Sequence, residues 1–194
     1  MSVPRIVVLI SGRGSNMEAI ARSIEAGVLR GRCRLAAVLS NRPDAPGLVV
    51  AERLGLPTCV VPSAGLSTDA YGERLLAAFE HYAPDYIVLA GFMRYLSAAV
   101  VGRYPGRILN IHPADTCAYQ GPNGYGWAFR AGLATTRITV HRVDAGIDSG
   151  EVLARAEVDL RGAETLDEVV SRGLAVEHDL YPNTLAKLLA EEVV

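Results

Sequence analysis

Arg5-Ile6-Val7-Val8-Leu9-Ile10-Ser11-Gly12-Arg13-Gly14-Ser15-Asn16-Met17-Glu18-Ala19-Ile20 passes from an apolar run through a glycine-rich turn into a helical pattern. Residues 5–10 read as a buried strand. Met17, Ile20, Ala21 and Ile24 recur at helical spacing over residues 16–26, and Gly27 is the stop. The same alternation continues downstream. Strands are expected at 33–39, 58–61, 86–90 and 107–111, with helices at 45–54, 68–82 and 98–104. Strands alternating with helices through short connections predict an α/β fold built on a doubly wound, mostly parallel, Rossmann-like sheet. Beyond Pro113 the pattern changes. Residues 114–126 read as a long loop containing Gly121, Pro122, Gly124 and Gly126, and 127–133 as a short helix. Strands at 137–143 and 151–158 flank what reads as a tight turn, and 166–190 as a helix interrupted by Pro182.

The chain has 194 residues, half of them hydrophobic, which fits a single domain over 1–194 with a sizeable core. A net charge of −2 supplies no basic face for nucleic acid. Lys187 is the only lysine, so basic charge is almost entirely arginine. No run approaches the roughly 20 apolar residues of a membrane span. The first residues do not read as a signal peptide, because their apolar run flows straight into the glycine turn. Cys33, Cys59 and Cys117 form neither a metal spacing nor an even disulfide set, and a reducing cytoplasm is the expected location. No His, Cys, Asp and Glu cluster has metal-ligand spacing, so no metal is expected.

In sheets of this kind ligands bind beyond the carboxyl ends of the strands. The 12–16 turn, Gly91 to Arg94 and Asn110 to His112 all fall there, and the 139–150 segment must fold back to join them. Backbone amides at the start of the first helix, with the Ser15 and Asn16 side chains, suit a phosphate; the alternative is that one of these side chains simply caps the helix. Met17 stands where a dinucleotide fingerprint needs its third glycine, and no Gly-Lys-Ser/Thr ending makes a P-loop. Asn110 and His112 lie two apart on a strand end and share a face. An amide can donate to a developing oxyanion, an imidazole can take a proton from an attacking amine, and a carboxylate such as Asp148 can orient that imidazole. Together they are parts for acyl transfer to an amine. His141, within a strand, reads as a packed and hydrogen-bonded residue. Arg94 reads either as a partner for a ligand carboxylate or as a surface arginine.

The stretches IVVLISGRGSNMEAI, LSNRPDAPGL, HYAPDYIVLAGFMRYLS, GRILNIHP, TVHRVDAGIDSGEVL and VEHDLYP resemble, in order and spacing, the folate-dependent phosphoribosylglycinamide formyltransferase family over about residues 5–185. The resemblance implies a one-carbon transferase that moves a formyl group from 10-formyltetrahydrofolate to the amine of glycinamide ribonucleotide in purine biosynthesis. It implies Asn110, His112 and Asp148 as the catalytic set, and Gly14, Ser15 and Asn16 as the seat of the substrate phosphate. It implies Glu177 at the ribose, and Met93, Arg94, Leu96, Val143 and Asp144 along the folate. Partners would be small molecules, without nucleic acid or membrane, in a monomer or homodimer. The family continues its His-Pro with Ser-Leu-Leu-Pro, where this chain has Ala114-Asp115-Thr116-Cys117. Where the family shows Gly-Leu-His-x-His, this chain has Gly121-Pro122-Asn123-Gly124-Tyr125. These departures leave open another amine, such as a sugar nucleotide or a specialised metabolite precursor, as acceptor. Hydrolysis of the formyl donor and a non-catalytic phosphate-binding module are the remaining readings. The hydrolase branch carries an additional N-terminal domain, and the module has no need of the three catalytic groups together.

Overall fold

The computed structural model describes residues 3–191. Its elements in chain order are β1 (Arg5–Ile10), α1 (Ser15–Ala26), β2 (Arg34–Ser40), α2 (Pro46–Arg53), β3 (Thr58–Val60), α3 (Thr68–Tyr82), β4 (Tyr86–Leu89), α4 (Ala98–Arg103), β5 (Ile108–His112), α5 (Gly124–Arg130), β6 (Thr135–Arg142), β7 (Val152–Asp159) and α6 (Leu166–Glu191). The sheet order is β3-β2-β1-β4-β5-β6-β7. Strands β1 to β5 are mutually parallel, while β6 and β7 run antiparallel at one edge. This is the doubly wound, mostly parallel sheet that the alternating pattern predicts.

The core follows from the strand period of two. Ile6, Val8 and Ile10 of β1 face one apolar cluster with α1 and α6; Val7 and Leu9 face the other with α3 and α4. Both faces of β1 are therefore covered, which is why its sequence reads as a continuous apolar run rather than an alternation. Each such fully buried aliphatic side chain contributes about 1.5–3 kcal/mol. The chain winds to opposite sides of β1, so a crevice opens between the carboxyl ends of β1 and β4.

Three expectations are corrected. Helix α6 runs unbroken through Pro182. Pro182 is buried, the Asn183 and Thr184 side chains donate to the Asp179 and Leu180 carbonyls, and Tyr181 anchors the helix by reaching the Leu89 and Leu109 carbonyl oxygens, each at 3.0 Å. Packing and side-chain hydrogen bonds thus override the local penalty of a proline. The β6–β7 connection is not a tight turn: residues 143–151 make a wide excursion, although Arg142 and Glu151 still pair through their backbones. Helix α5 begins at Gly124, before the expected start at 127, because Asn123 caps it with a side-chain oxygen that accepts from the Gly126 amide at 3.1 Å.

Candidate active site

The site is assembled from strand ends. In β5, Asn110 and His112 share one face, and Ile111 turns to the other side into the core. Strand β6 pairs antiparallel with β5 so that His141 lies opposite Asn110 and Thr139 opposite His112. The 143–151 excursion then carries Asp148 back over both. Asp148 adopts a left-handed backbone with φ of 48°, a conformation a short polar side chain tolerates better than most.

The carboxylate of Asp148 is the hub. Its Oδ2 lies 3.3 Å from His112 Nδ1 and accepts from the Gly121 amide at 2.9 Å. Its Oδ1 accepts from Asn110 Nδ2 at 3.3 Å and stands 3.5 Å from His141 Nε2. His141 is 2 % exposed, and its Nδ1 lies 2.8 Å from the Arg142 carbonyl oxygen, so the Nδ1 nitrogen carries the proton. Nε2 of His141, 3.2 Å from Asn110 Nδ2, then accepts from that amide and fixes its orientation. His141 is packed and hydrogen-bonded, as expected, and it also joins Asn110 and His112 around Asp148. Only the strand register reveals that.

Burial lowers the pKa of His112 below the ordinary histidine range, although the Asp148 charge and the Tyr119 carbonyl pull the other way. That direction favours the neutral ring, whose single proton serves two facing acceptors, the Asp148 carboxylate at Nδ1 and the Tyr119 carbonyl at Nε2; Nε2 becomes a base when the proton sits on Nδ1. For Asp148, burial raises the pKa, but the hydrogen bond from the Gly121 amide and the neighbouring His112 imidazole outweigh it, and the carboxyl sits below its ordinary range. His112 Nε2 lies 3.1 Å from the Tyr119 carbonyl oxygen. A residue of the 114–126 segment thus covers the nitrogen that a substrate would meet.

That segment has its own supports. Asp115 binds Arg137 at 3.1 Å and Arg155 at 3.3 Å, and its carboxylate accepts from the Cys117 amide at 3.0 Å. Tyr119 stacks on Trp127, and Thr139 Oγ1 donates to the Ala114 carbonyl oxygen at 2.8 Å. None of these partnerships was visible from the sequence.

Asn110, His112 and Asp148 line a cleft of about 530 Å³ together with Met93, Arg94, Leu96, Val143 and Asp144. The segment 91–96 is held by a relay in which Met93 N donates to Ser11 Oγ, Ser11 Oγ donates to Asn41 Oδ1, and Asn41 Nδ2 donates to Ser63 Oγ. Met93 is 73 % exposed at the mouth, where Tyr95 and Ile147 are exposed as well. Arg94 lies over the Tyr71 ring and donates to the Leu66 carbonyl oxygen at 3.0 Å, so it is a braced wall residue rather than a free surface arginine.

The 12–16 turn stands outside the walls of that cleft, with Glu177. Gly14 is the N-cap of α1 with φ of 73°, and no side chain caps the helix. The capping alternative therefore fails, and the first amides of α1 have no side-chain acceptor. A Cβ on Gly14 would also stand 3.0 Å from the Gly47 Cα, so this turn needs glycine for space as well as for conformation. Asn16 Nδ2 donates to Glu177, whose second oxygen accepts from the Tyr125 hydroxyl. Burial raises the Glu177 pKa, with the bonds from Tyr125 and Asn16 opposing it. The structure thus brings Asn16 and Glu177 together, and adds Tyr125 from the first turn of α5.

Among the described residues no group of three or more His, Cys, Asp or Glu is placed to hold a metal ion, and no helix is long and apolar enough to cross a membrane. Cys33 is buried, Cys59 half-buried and Cys117 exposed.

The profile of the formyl transferase family matches residues 4–185. The phosphoribosylglycinamide formyltransferase of Escherichia coli is 40% identical over 178 residues, covering 91% of this chain and 83% of that protein. The structure is similar to that of phosphoribosylglycinamide formyltransferase from Bacillus halodurans, with a TM-score of 0.91, 35% identity, and coverage of 97% of this chain and 96% of that one. It is likewise similar to glycinamide ribonucleotide transformylase 1 from Symbiobacterium toebii, with a TM-score of 0.92, 35% identity, and coverage of 97% and 89%.

Proposed function

Because the chain belongs to the formyl transferase family, we propose that it transfers the formyl group of 10-formyltetrahydrofolate to the amine of glycinamide ribonucleotide, as a single domain over 1–194 in the cytoplasm. The observation that carries this reading is the convergence of Asn110, His112 and Asp148 at one end of a cleft. The cleft suits the donor. Met93, Leu96 and Val143 offer apolar surface to a flat heteroaromatic ring, and Arg94 and Asp144 offer polar edges.

The residues divide the work as follows. A formyl oxygen entering the cleft takes over the Nδ2–H that Asn110 now gives to Asp148, and Asn110 stabilises the negative charge that develops there. As the new C–N bond forms, His112 Nε2, released from the Tyr119 carbonyl, accepts the proton of the attacking amine. It returns that proton to the folate nitrogen as the old C–N bond breaks. Asp148 holds the other imidazole nitrogen and stabilises its charged form. Gly14, Ser15 and Asn16 hold the phosphate of the acceptor at the α1 N-terminus, and Glu177 accepts from its ribose hydroxyls.

The test is a spectrophotometric assay of purified protein with the donor, with and without glycinamide ribonucleotide. Deformylation that requires the ribonucleotide supports the reading. Turnover with donor alone makes the protein a hydrolase. Donor binding without turnover means another amine acceptor, and no donor binding refutes the folate assignment.

A further inference from the structure

Glu177 is 4 % exposed, and both its carboxylate oxygens are engaged from inside the protein, by Asn16 Nδ2 and by the Tyr125 hydroxyl. The tyrosine has a seat built for it. Gly173 lies one helical turn before Glu177 on α6, and a Cβ there would stand 2.1 Å from a Tyr125 ring carbon. Only a bare backbone at 173 lets the ring lie flat enough for its hydroxyl to reach the carboxylate. A second observation points to a ligand. A carboxylate only accepts, so Asn16 must turn its Nδ2 toward Glu177. That leaves Asn16 Oδ1 buried without a hydrogen-bond partner, on a residue 6 % exposed. An orphaned buried acceptor of this kind calls for a hydrogen-bond donor, which a ligand hydroxyl can supply. The corner therefore presents two acceptors, Asn16 Oδ1 and the Glu177 oxygen now taken by a phenol, beside the uncapped amides of α1. Two neighbouring hydroxyls on a sugar phosphate match this inventory.

We propose that Tyr125, seated on Gly173, is a specificity-determining residue of the acceptor side: its phenol holds the hydroxyl seat on Glu177, and a sugar phosphate binds by exchanging its own hydroxyls for that phenol. The proposal rests on the acceptor side lying at Glu177 and the 14–16 turn. The tyrosine acts as an internal competitor, so ligands too poor in hydroxyls to replace it are excluded. The observed affinity of a good ligand is reduced by the fraction of protein with the seat filled.

The experiment titrates ribose 5-phosphate by calorimetry into the wild type, Y125F and G173A, with the emission of Trp127, the only tryptophan, as a second readout. Y125F removes the competing hydroxyl; G173A drives the ring off its seat. Both variants are expected to bind about tenfold more tightly. In turnover the same gain should appear in the KM for the acceptor, with the KM for the donor as internal reference. Weaker binding by Y125F would mean that the phenol itself touches the sugar, and would overturn the proposal. Unchanged affinity in both variants, or no binding to any of the three proteins, would overturn it too. If ribose 5-phosphate responds as expected while glycinamide ribonucleotide supports no turnover, the acceptor assignment fails and the role of Tyr125 stands.

Discussion

Replacing Asp148 by asparagine keeps the shape of the side chain and removes its charge. The magnitude follows from the geometry. At 3.3 Å, the Asp148–His112 separation, a full charge pair is worth about 5 kcal/mol at an effective dielectric of 20. If about half of that charge has developed on His112 in the transition state, the loss is ~2.5 kcal/mol, or roughly seventyfold in rate. The asparagine NH2 or oxygen must also face the Gly121 amide that now donates at 2.9 Å, so the imidazole is held less well. We therefore expect D148N to lower kcat by between about fiftyfold and a thousandfold, with a much smaller change in the KM of either substrate. The assay is donor deformylation followed by absorbance across a pH series, with a thermal melt of each protein to confirm folding. The pH profile supplies an independent check. His112 must be neutral to accept a proton, so activity is full above its pKa and falls as pH drops through it. Burial places that limb below the ordinary histidine range. Without the carboxylate, charging His112 becomes harder still, so the acidic limb of D148N must move to lower pH. A folded D148N within threefold of wild-type kcat, or a limb displaced upward, would refute this account of Asp148.

Three further outcomes follow from the same contacts. N110A should lose at least about a hundredfold in kcat with little effect on donor binding, because the amide acts on charge that exists only in the transition state; single-turnover kinetics with a parallel donor titration checks this. Y181F removes the one buried hydroxyl whose proton is shared between the Leu89 and Leu109 carbonyls and should cost about 1 kcal/mol of stability, read from urea unfolding midpoints at constant m-value. G14A forces a side chain into a left-handed residue and toward Gly47, so it should destabilise by roughly 1–2 kcal/mol and raise the KM for a phosphorylated acceptor, whereas the donor KM stays constant.

The fold was legible in the sequence because the signals that specify it are local. Continuous apolar runs such as residues 6–10 announce strands covered on both faces, and helical spacing at Met17, Ile20 and Ile24 announces what covers them. Local signals failed where tertiary contacts outweighed them. Pro182 should break a helix, yet Tyr181 reaches two strands of the sheet and the helix continues. Gly124 and Gly126 read as loop, yet an Asn123 cap starts a helix there. The 143–151 excursion looked like a short turn because nothing local records that Asp148 must travel back to β5.

For the candidate site, sequence alone determined which chemical groups are present and which end of the sheet they occupy. Asn110 and His112 share a face because strand side chains alternate, and the 12–16 turn follows β1 because its glycines let it. The tertiary structure decided which groups meet. It placed Asp148 between Asn110 and His112, brought His141 across from Asn110 by antiparallel register, and set the Tyr125 phenol on Glu177 over the bare backbone of Gly173. These meetings join residues tens of positions apart in the chain. They depend on strand register, on the path of a loop and on the room left by a missing side chain, none of which has a period or a motif that a linear sequence can display.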